Sequence, residues 1–461
     1  MLHGLQGWLL CVSLISLIWF YHWVRKGPVA ALGAAVVLTF ACPVWLHMDL
    51  GGLPFDVRTT IACIAMAGYL VHPQGKIYSP LTLLDFAIAA LCICHAVADS
   101  FAAGISPGLP LRAYGEWALP YVAGRFAIRD RNELGQIAPW VVGVVSVLSI
   151  TAVGEALTGV NPFEWIFGNR PEELFRRSSE RLGFKRAFGP TSQPIFLGMI
   201  IAVLSPWVIS LWQSTGSSTI RLLTVSAVGL ATAGTVSTIS RTPALTILGT
   251  AILVLAMRFR VLRLPLAAVV TCVIIGFASF PGEITIRVSE WTGGIEKPRL
   301  IEVDGEAVIT SSSKSRLHVF GVYKDALVKA GPFGYGSKAT TGFPLRIPGM
   351  EGSFKSANLF YTVDNAYVLL TLRFGWLGGA CLVILFLTAI GTAWSLFSEQ
   401  PDDLFPGAIA GLLVVVAGFS LLLVFMSYDF GFPLLWTFGI LSGLASGRIA
   451  NAPGMHQIVP N

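Results

Sequence analysis

Apolar residues in this chain come in blocks of about twenty, separated by short polar punctuation, and that spacing constrains the fold more than any motif does. About twenty residues at a rise of ~1.5 Å cross the ~30 Å hydrocarbon layer of a bilayer. Such blocks must be helical, because a lone apolar strand leaves its backbone donors and acceptors unsatisfied in lipid. With 54% hydrophobic and only 12% charged residues, the chain lies outside the soluble globular range. The blocks are Leu5–Trp23, Val29–His47, Val57–His72, Leu81–Phe101, Leu109–Ile128, Ile137–Leu157, Pro194–Trp212, Ile220–Ser237, Ala244–Met257, Leu262–Phe280, Val363–Phe397, Phe405–Phe425 and Gly431–Ser446. They predict an all-α polytopic membrane protein with about 13 transmembrane helices.

The fifth block is the weakest, being interrupted by Pro110, Arg112, Glu116 and Pro120. Charge decides whether it spans. If every block crosses, one side of the membrane receives Arg25, Lys26, Lys76, Arg125, Arg129, Arg131, Arg221, Arg258, Arg260, Arg263 and Arg448. By the positive-inside rule that side is the cytoplasm, with the N-terminus outside and the C-terminus inside. A re-entrant fifth block would translocate either the Arg25 pair or the Arg258 cluster, so a span is expected. Leu5–Trp23 has no basic residues before it and no small-residue cleavage site after it, and it reads as a first span rather than a cleaved signal. The chain then divides into spans one to six (1–157), a basic periplasmic loop (158–193), spans seven to ten (194–280), a large periplasmic loop (281–362), three last spans (363–448) and a cytoplasmic tail (449–461). The net charge of +6 is mostly the cytoplasmic basic set, which calls for a lipid bilayer and no nucleic acid.

All seven cysteines lie inside apolar blocks, where they act as small hydrophobes and imply no disulfide framework. Cys92 and Cys94 point about 200° apart on a helix, which argues against a metal pair. Function is expected in the two long outward loops. In the first, Arg170, Arg176, Arg177, Arg181, Lys185 and Arg186 outnumber Glu164, Glu172, Glu173 and Glu180. Residues 170–181 also read as a solvated amphipathic helix with favourable i,i+4 pairs. Lys185 and Arg186 fit that reading less well. They sit in a glycine- and proline-punctuated turn leading into the next span, where a cation suits an anionic ligand. Arg241 occupies a tight outward turn with no acidic neighbour in sequence, a position that also suits a snorkelling interfacial arginine. Arg316 lies in the large loop, ahead of a helical pattern from Val319 to Lys329; a plain surface charge is the other reading.

Four ordered stretches point further: Arg186-Ala187-Phe188-Gly189-Pro190, with Pro194 entering a span; Ser240-Arg241 at an outward turn; Ser315-Arg316 followed by Gly331-Pro332-Phe333-Gly334-Tyr335-Gly336; and Asp364-Asn365-Ala366-Tyr367 followed by Gly375-Trp376-Leu377-Gly378. On these residues the chain resembles the bacterial O-antigen ligase and polymerase superfamily, which includes the Wzy-type polymerases of O-antigen and exopolysaccharide. The resemblance covers roughly Lys185 to Leu396.

It implies a metal-independent, inverting glycosyltransferase without a cofactor, of the GT-C-type lipid-linked sugar transferase architecture, in the bacterial inner membrane. Donor and acceptor would be polyprenyl-diphosphate-linked oligosaccharides, with a flippase and a chain-length regulator as partner proteins. Arg186, Arg241 and Arg316 are the candidates for cradling the diphosphate, with Lys185, Asn365 and Tyr367 as further substrate contacts. Arginine forks stabilise a departing diphosphate without a metal ion. The attacking hydroxyl needs a proton acceptor, and Asp364 and His318 are the candidates. Many ligases of the family carry a histidine where this chain has Asp364, a departure from the ligase pattern; a polymerase is the leading expectation, and a ligase using the same donor is the alternative. A transporter or flippase, from a different class, would place ionisable residues near the midplane, and Arg112 and Glu116 are the best candidates for that.

Overall fold

The computed structural model describes residues 4–50, 53–71, 80–168, 180–181, 183–280, 283, 287, 298–303, 306–311, 318–340, 347, 363, 365–421 and 428–450. The chain begins with α1 (Gly4–Lys26) and α2 (Pro28–Thr39), followed by an antiparallel hairpin of β1 (His47–Leu50) and β2 (Leu53–Asp56) in which His47 pairs with Asp56. Next come α3 (Val57–Val71), α4 (Leu83–Ala103) and α5 (Gly108–Ala113), which a π-helical turn, Tyr114–Ala118, joins to α6 (Leu119–Ala127). Then follow α7 (Arg131–Thr158), α8 (Pro162–Phe167) and a short hairpin of β3 (Glu180–Arg181) and β4 (Phe184–Lys185). The middle of the chain forms α9 (Pro194–Leu204), α10 (Trp207–Ser214), α11 (Ser218–Ser237), α12 (Arg241–Arg258) and α13 (Arg263–Ser279). In the large loop lie a hairpin of β5 (Pro298–Val303) and β6 (Glu306–Ser311) and two short helices, α14 (Val319–Val322) and α15 (Lys324–Lys329). The chain closes with α16 (Ala366–Glu399), α17 (Leu404–Phe419) and α18 (Tyr428–Ala450).

Among the described residues, 8 helical segments are long and apolar enough to cross a membrane: α1, α4, α7, Pro194–Ser214, α11, α12, α16 and Phe430–Ala450. The protein is therefore a helical polytopic membrane protein. The apolar helices α2, α3 and α17 are shorter. Each block expected from the sequence falls on helix, although not over its full length. Val29–His47 is helical only to Thr39, because Pro43 cannot continue a helix, and His47 opens a strand instead. Pro194–Trp212 breaks at Ser205 and Pro206 between α9 and α10. Three two-stranded hairpins among the described residues, which the all-α expectation did not include, lie in the connections.

The proline-broken fifth block forms one continuous helical run from Gly108 to Ala127. Pro110 sits in the first turn of α5, where no backbone partner is needed. The π turn takes up one extra residue and bonds Leu119 N to the Tyr114 carbonyl, so Pro120 follows without breaking the run.

Two contacts organise the bundle. α6 and α18 meet backbone to backbone: a Cβ added at Gly439, Gly443 or Gly447 would fall 2.0 to 2.2 Å from the carbonyl oxygens of Tyr121, Ile128 or Arg129, a small-residue seam typical of membrane helix pairs. Beside it, Asp85 caps α4, accepting from Thr82 N at 2.6 Å, and takes Arg125 Nε at 2.6 Å and the Tyr121 hydroxyl at 2.8 Å. Elsewhere α12 and α17 run antiparallel, with Gly249 against Val415, Gly411 against Leu253, and Arg258 3.4 Å from Asp402. Arg131 meets Asp403 at 2.7 Å and Arg448 pairs with Glu399. Arg131, Arg258 and Arg448 thus share one end of the bundle. The Arg241 end of α12 is opposite.

Candidate active site

The stretch from Arg186 to Pro194 takes its shape from a carboxylate inside the bundle. Glu155, in the last turn of α7 and 2% exposed, accepts from the backbone amides of Phe188 at 3.0 Å and Gly189 at 2.8 Å, and from Asn161 Nδ2 at 3.0 Å. Asn161 Nδ2 also donates to the Gly189 carbonyl at 2.9 Å. A buried carboxylate is stable when its oxygens are satisfied in this way. Gly189 has φ +54° and lies against Leu197, 3.1 Å from where a Cβ would stand, so the bend requires glycine.

Bent this way, the chain delivers Arg186 to the turn between α11 and α12. Its Nε donates to the Thr238 carbonyl at 3.2 Å and its Nη2 to Ser240 Oγ at 2.8 Å, while Ala187 N donates to the Ser237 carbonyl at 3.1 Å. Within this turn Ile239 has φ +47°, and among the described residues no other non-glycine residue has a positive φ. A β-branched residue held there stores on the order of 1–3 kcal/mol of strain, of the kind that collects at functional sites. Ser240 is the N-cap of α12 and Arg241 its first residue. Two half-buried arginines and the positive end of a helix dipole therefore share a single turn. Chemically this is a place for an anionic group, and the planar fork of arginine suits phosphate oxygens.

Lys185 takes another course, its amine donating to the Gly159 carbonyl at the end of α7, where a cation satisfies the helix terminus. Asn365 caps α16, its oxygen accepting from Val368 N at 3.0 Å and its amide donating to the Leu421 carbonyl at 3.0 Å. Ala366 N reaches the Ser420 carbonyl at 2.8 Å and the Tyr367 hydroxyl the Ala417 carbonyl at 2.9 Å. The start of α16 is thereby fastened to the end of α17, at the same end of the bundle as Arg241. The hydrogen bonds of Asn365 and Tyr367 are made to helix backbone. His318 is half-buried and immediately precedes Val319, which packs in one cluster with Tyr323, Val368, Leu369 and Leu372. The loop helices thus sit on the first turns of α16. Arg316 and Asp364 lie outside the described residues, as do residues 170–179.

The glycine motifs of the large loop and of α16, separate in sequence, form one knot. Gly375, at φ +71° and ψ −170°, breaks α16 in a region that glycine alone populates. Through the break the amides of Trp376 and Leu377 reach the carbonyls of Gly331 at 2.9 Å and Pro332 at 3.4 Å. In return Tyr335 and Gly336 donate to the carbonyls of Leu372 at 2.8 Å and Arg373 at 2.9 Å. The Tyr335 hydroxyl donates to the Ala326 carbonyl at 2.9 Å, and burial pushes its phenol above the ordinary range.

Sequence reasoning missed a polar group beside this knot. His95 and Asp99 on α4 are 0% and 4% exposed and lie 3.3 Å apart. Trp117 Nε1 donates to His95 Nδ1 at 3.0 Å, and Glu116 stands 3.8 Å from the same nitrogen. The available signal was an i,i+4 His/Asp pair inside an apolar block, since ionisable residues in a span mark function. Among the described residues no group of three His, Cys, Asp or Glu is placed to hold a metal ion. The chain matches no protein-family model and no curated protein, so its functional reading stands on these residues and their geometry.

Proposed function

We propose that the protein is a polysaccharide polymerase of the bacterial inner membrane, with about thirteen spans and a GT-C-type architecture. It transfers a growing glycan from polyprenyl diphosphate onto the next lipid-linked repeat unit at the periplasmic face. The observation that carries this reading is the hydrogen bonding of Arg186 into the Ser237–Arg241 turn, which joins two arginine motifs far apart in sequence.

In the proposed reaction a hydroxyl of the acceptor sugar attacks the anomeric carbon of the donor glycan, with inversion. The new glycosidic bond forms as the bond from carbon to the diphosphate oxygen breaks, and polyprenyl diphosphate leaves with the electron pair. Arg186 and Arg241 stabilise that charge, with Arg316 as the third cation, and the hydroxyl proton passes to Asp364 or His318. Replacing Arg186 or Arg241 by Ala is expected to abolish polymer at unchanged membrane levels. Near-normal polymer in both variants would overturn the reading. EDTA is expected to leave activity intact, and inhibition reversed by magnesium would shift the principal electrophile from arginine to a metal ion. Deleting the gene should leave single lipid-linked repeats, whereas accumulation of long lipid-linked polymer would identify a ligase.

One observation favours a second reading, a transporter. The Gly375 break in α16 lies next to the buried His95–Asp99 pair, and broken helices with intramembrane charges are a transporter feature. Elongation of lipid-linked repeats by purified protein in detergent, where no gradient exists, would eliminate it.

A further inference from the structure

We infer that His95, Asp99 and Arg373 are positioning residues, forming a latch that clamps the Ser337–Thr340 turn of the large loop to two membrane helices. The inference rests on the polymerase reading for what is positioned, and on geometry alone for the latch.

One bolt comes from α4. Asp99 Oδ1 accepts from the backbone amide of Ser337 at 2.6 Å, and Ser337 Oγ lies 3.2 Å from His95 Nε2. The tautomer of His95 follows from Trp117, whose indole can only donate. Nδ1 must accept, so the ring proton resides on Nε2, facing Asp99 Oδ2 at 3.3 Å and Ser337 Oγ. With its proton on Nε2, His95 cannot take one from Ser337, which excludes a serine nucleophile here. The ring is also stacked on Phe374 of α16 at 4.4 Å. Every hydrogen bond of this set orients a neighbour.

The second bolt comes from α16. Arg373 Nε donates to Thr340 Oγ1 at 2.5 Å, three residues beyond Ser337. The charges of Glu116, Arg112 and Asp99 all lie within electrostatic reach of Arg373, so the set around it is balanced in sign. A balanced, hydrogen-bonded set holds an anionic ligand less well than the Arg186–Arg241 turn does, and fixes structure better.

The turn held by these bolts, Ser337–Thr340, ends the part of the loop that begins at His318 and seats α14 and α15 on α16. Releasing it loosens one end of the segment that places His318 against the start of α16, leaving the Val319 cluster and the glycine knot to hold it alone. A displacement of about 1 Å at a reacting group can lower turnover about 100-fold without weakening binding.

The test is limited trypsin digestion of the purified protein in detergent, because Lys338 is exposed on the latched turn and its peptide bond is cleaved only when the turn lifts. Asp99→Ala and Arg373→Ala are expected to speed cleavage after Lys338 at least about fivefold. In the same variants kcat on a lipid-linked repeat unit should fall at least about tenfold with KM nearly unchanged. Asp99→Asn, which keeps an acceptor for the Ser337 amide, should recover most of the protection. If Asp99→Ala does not accumulate, Thr340→Val, which removes the acceptor of Arg373 on the loop side, carries the same measurements. Unchanged cleavage in the Asp99 and Arg373 variants overturns the latch, and faster cleavage with wild-type kcat overturns the positioning role. Arg186→Ala should lose activity at wild-type cleavage; if it keeps activity, the polymerase reading fails and the latch is still decided by proteolysis.

Discussion

Arg186 uses two N–H groups of one guanidinium, giving Nε to the Thr238 carbonyl and Nη2 to Ser240 Oγ. A lysine ammonium on a flexible stem cannot reproduce that fork. Arg186→Lys should therefore lose at least about tenfold in polymer formation, measured against membrane-inserted protein on the same gel. Glu155 predicts a different defect. Glu155→Gln keeps an acceptor for the Phe188 and Gly189 amides but turns a donor toward one of its present partners, and its loss should appear as a lower melting temperature together with lost activity. Among the candidate residues, Arg186 and Arg241 were legible because their types and flanking glycines and prolines advertise a turn. Glu155 and Asn161 were not. They sit among apolar or loop residues, and their role depends on a contact with Gly189 some thirty residues away, which no local pattern announces. Asn365 and Tyr367 were noticed through a motif, while the hydrogen bonds they make are those of helix packing.

At the scale of elements, the Gly375 break and the Gly331–Gly336 turn need each other. A Cβ on Gly375 would stand 2.2 Å from the Pro332 carbonyl, and one on Gly334 would stand 2.4 Å from Gly375 N. Gly375→Ala should destabilise the protein by about 2–6 kcal/mol, the sum of backbone strain and overpacking, read as a drop in melting temperature in detergent. The α6–α18 seam makes a milder prediction. Gly443→Ala meets the Ile128 carbonyl at 2.1 Å, and should be destabilising by about 1–3 kcal/mol as the two helices part. Apolar period and length revealed the existence of these helices. Their interruptions were less legible. Pro110 and Pro120 look like breakers in a sequence window, yet the π turn between them keeps Gly108–Ala127 continuous. Gly375, by contrast, sits in a block without proline and breaks the helix, because a loop more than thirty residues upstream supplies the hydrogen bonds.

For the whole molecule, the distribution of charge is the organising fact. Arg131, Arg258 and Arg448 gather at one end with Asp402, Asp403 and Glu399, while Arg186 and Arg241 lie at the other. Asp85 and Arg125 bind α4 to α6 inside the bundle, and Asp85→Ala would strand the 5% exposed Arg125. The expected loss is about 3–5 kcal/mol, large enough to be read as disappearance of folded protein from the membrane fraction. The glycine seam has a further meaning in time. α18 packs against α6 and α9 with most of its length buried, yet it leaves the ribosome after α1 to α17. Until it arrives, the groove along α6 that will receive Gly439, Gly443 and Gly447 stays open to lipid. Biogenesis must therefore keep a vacancy among helices already inserted, and α18 enters like a keystone rather than an addition to the rim.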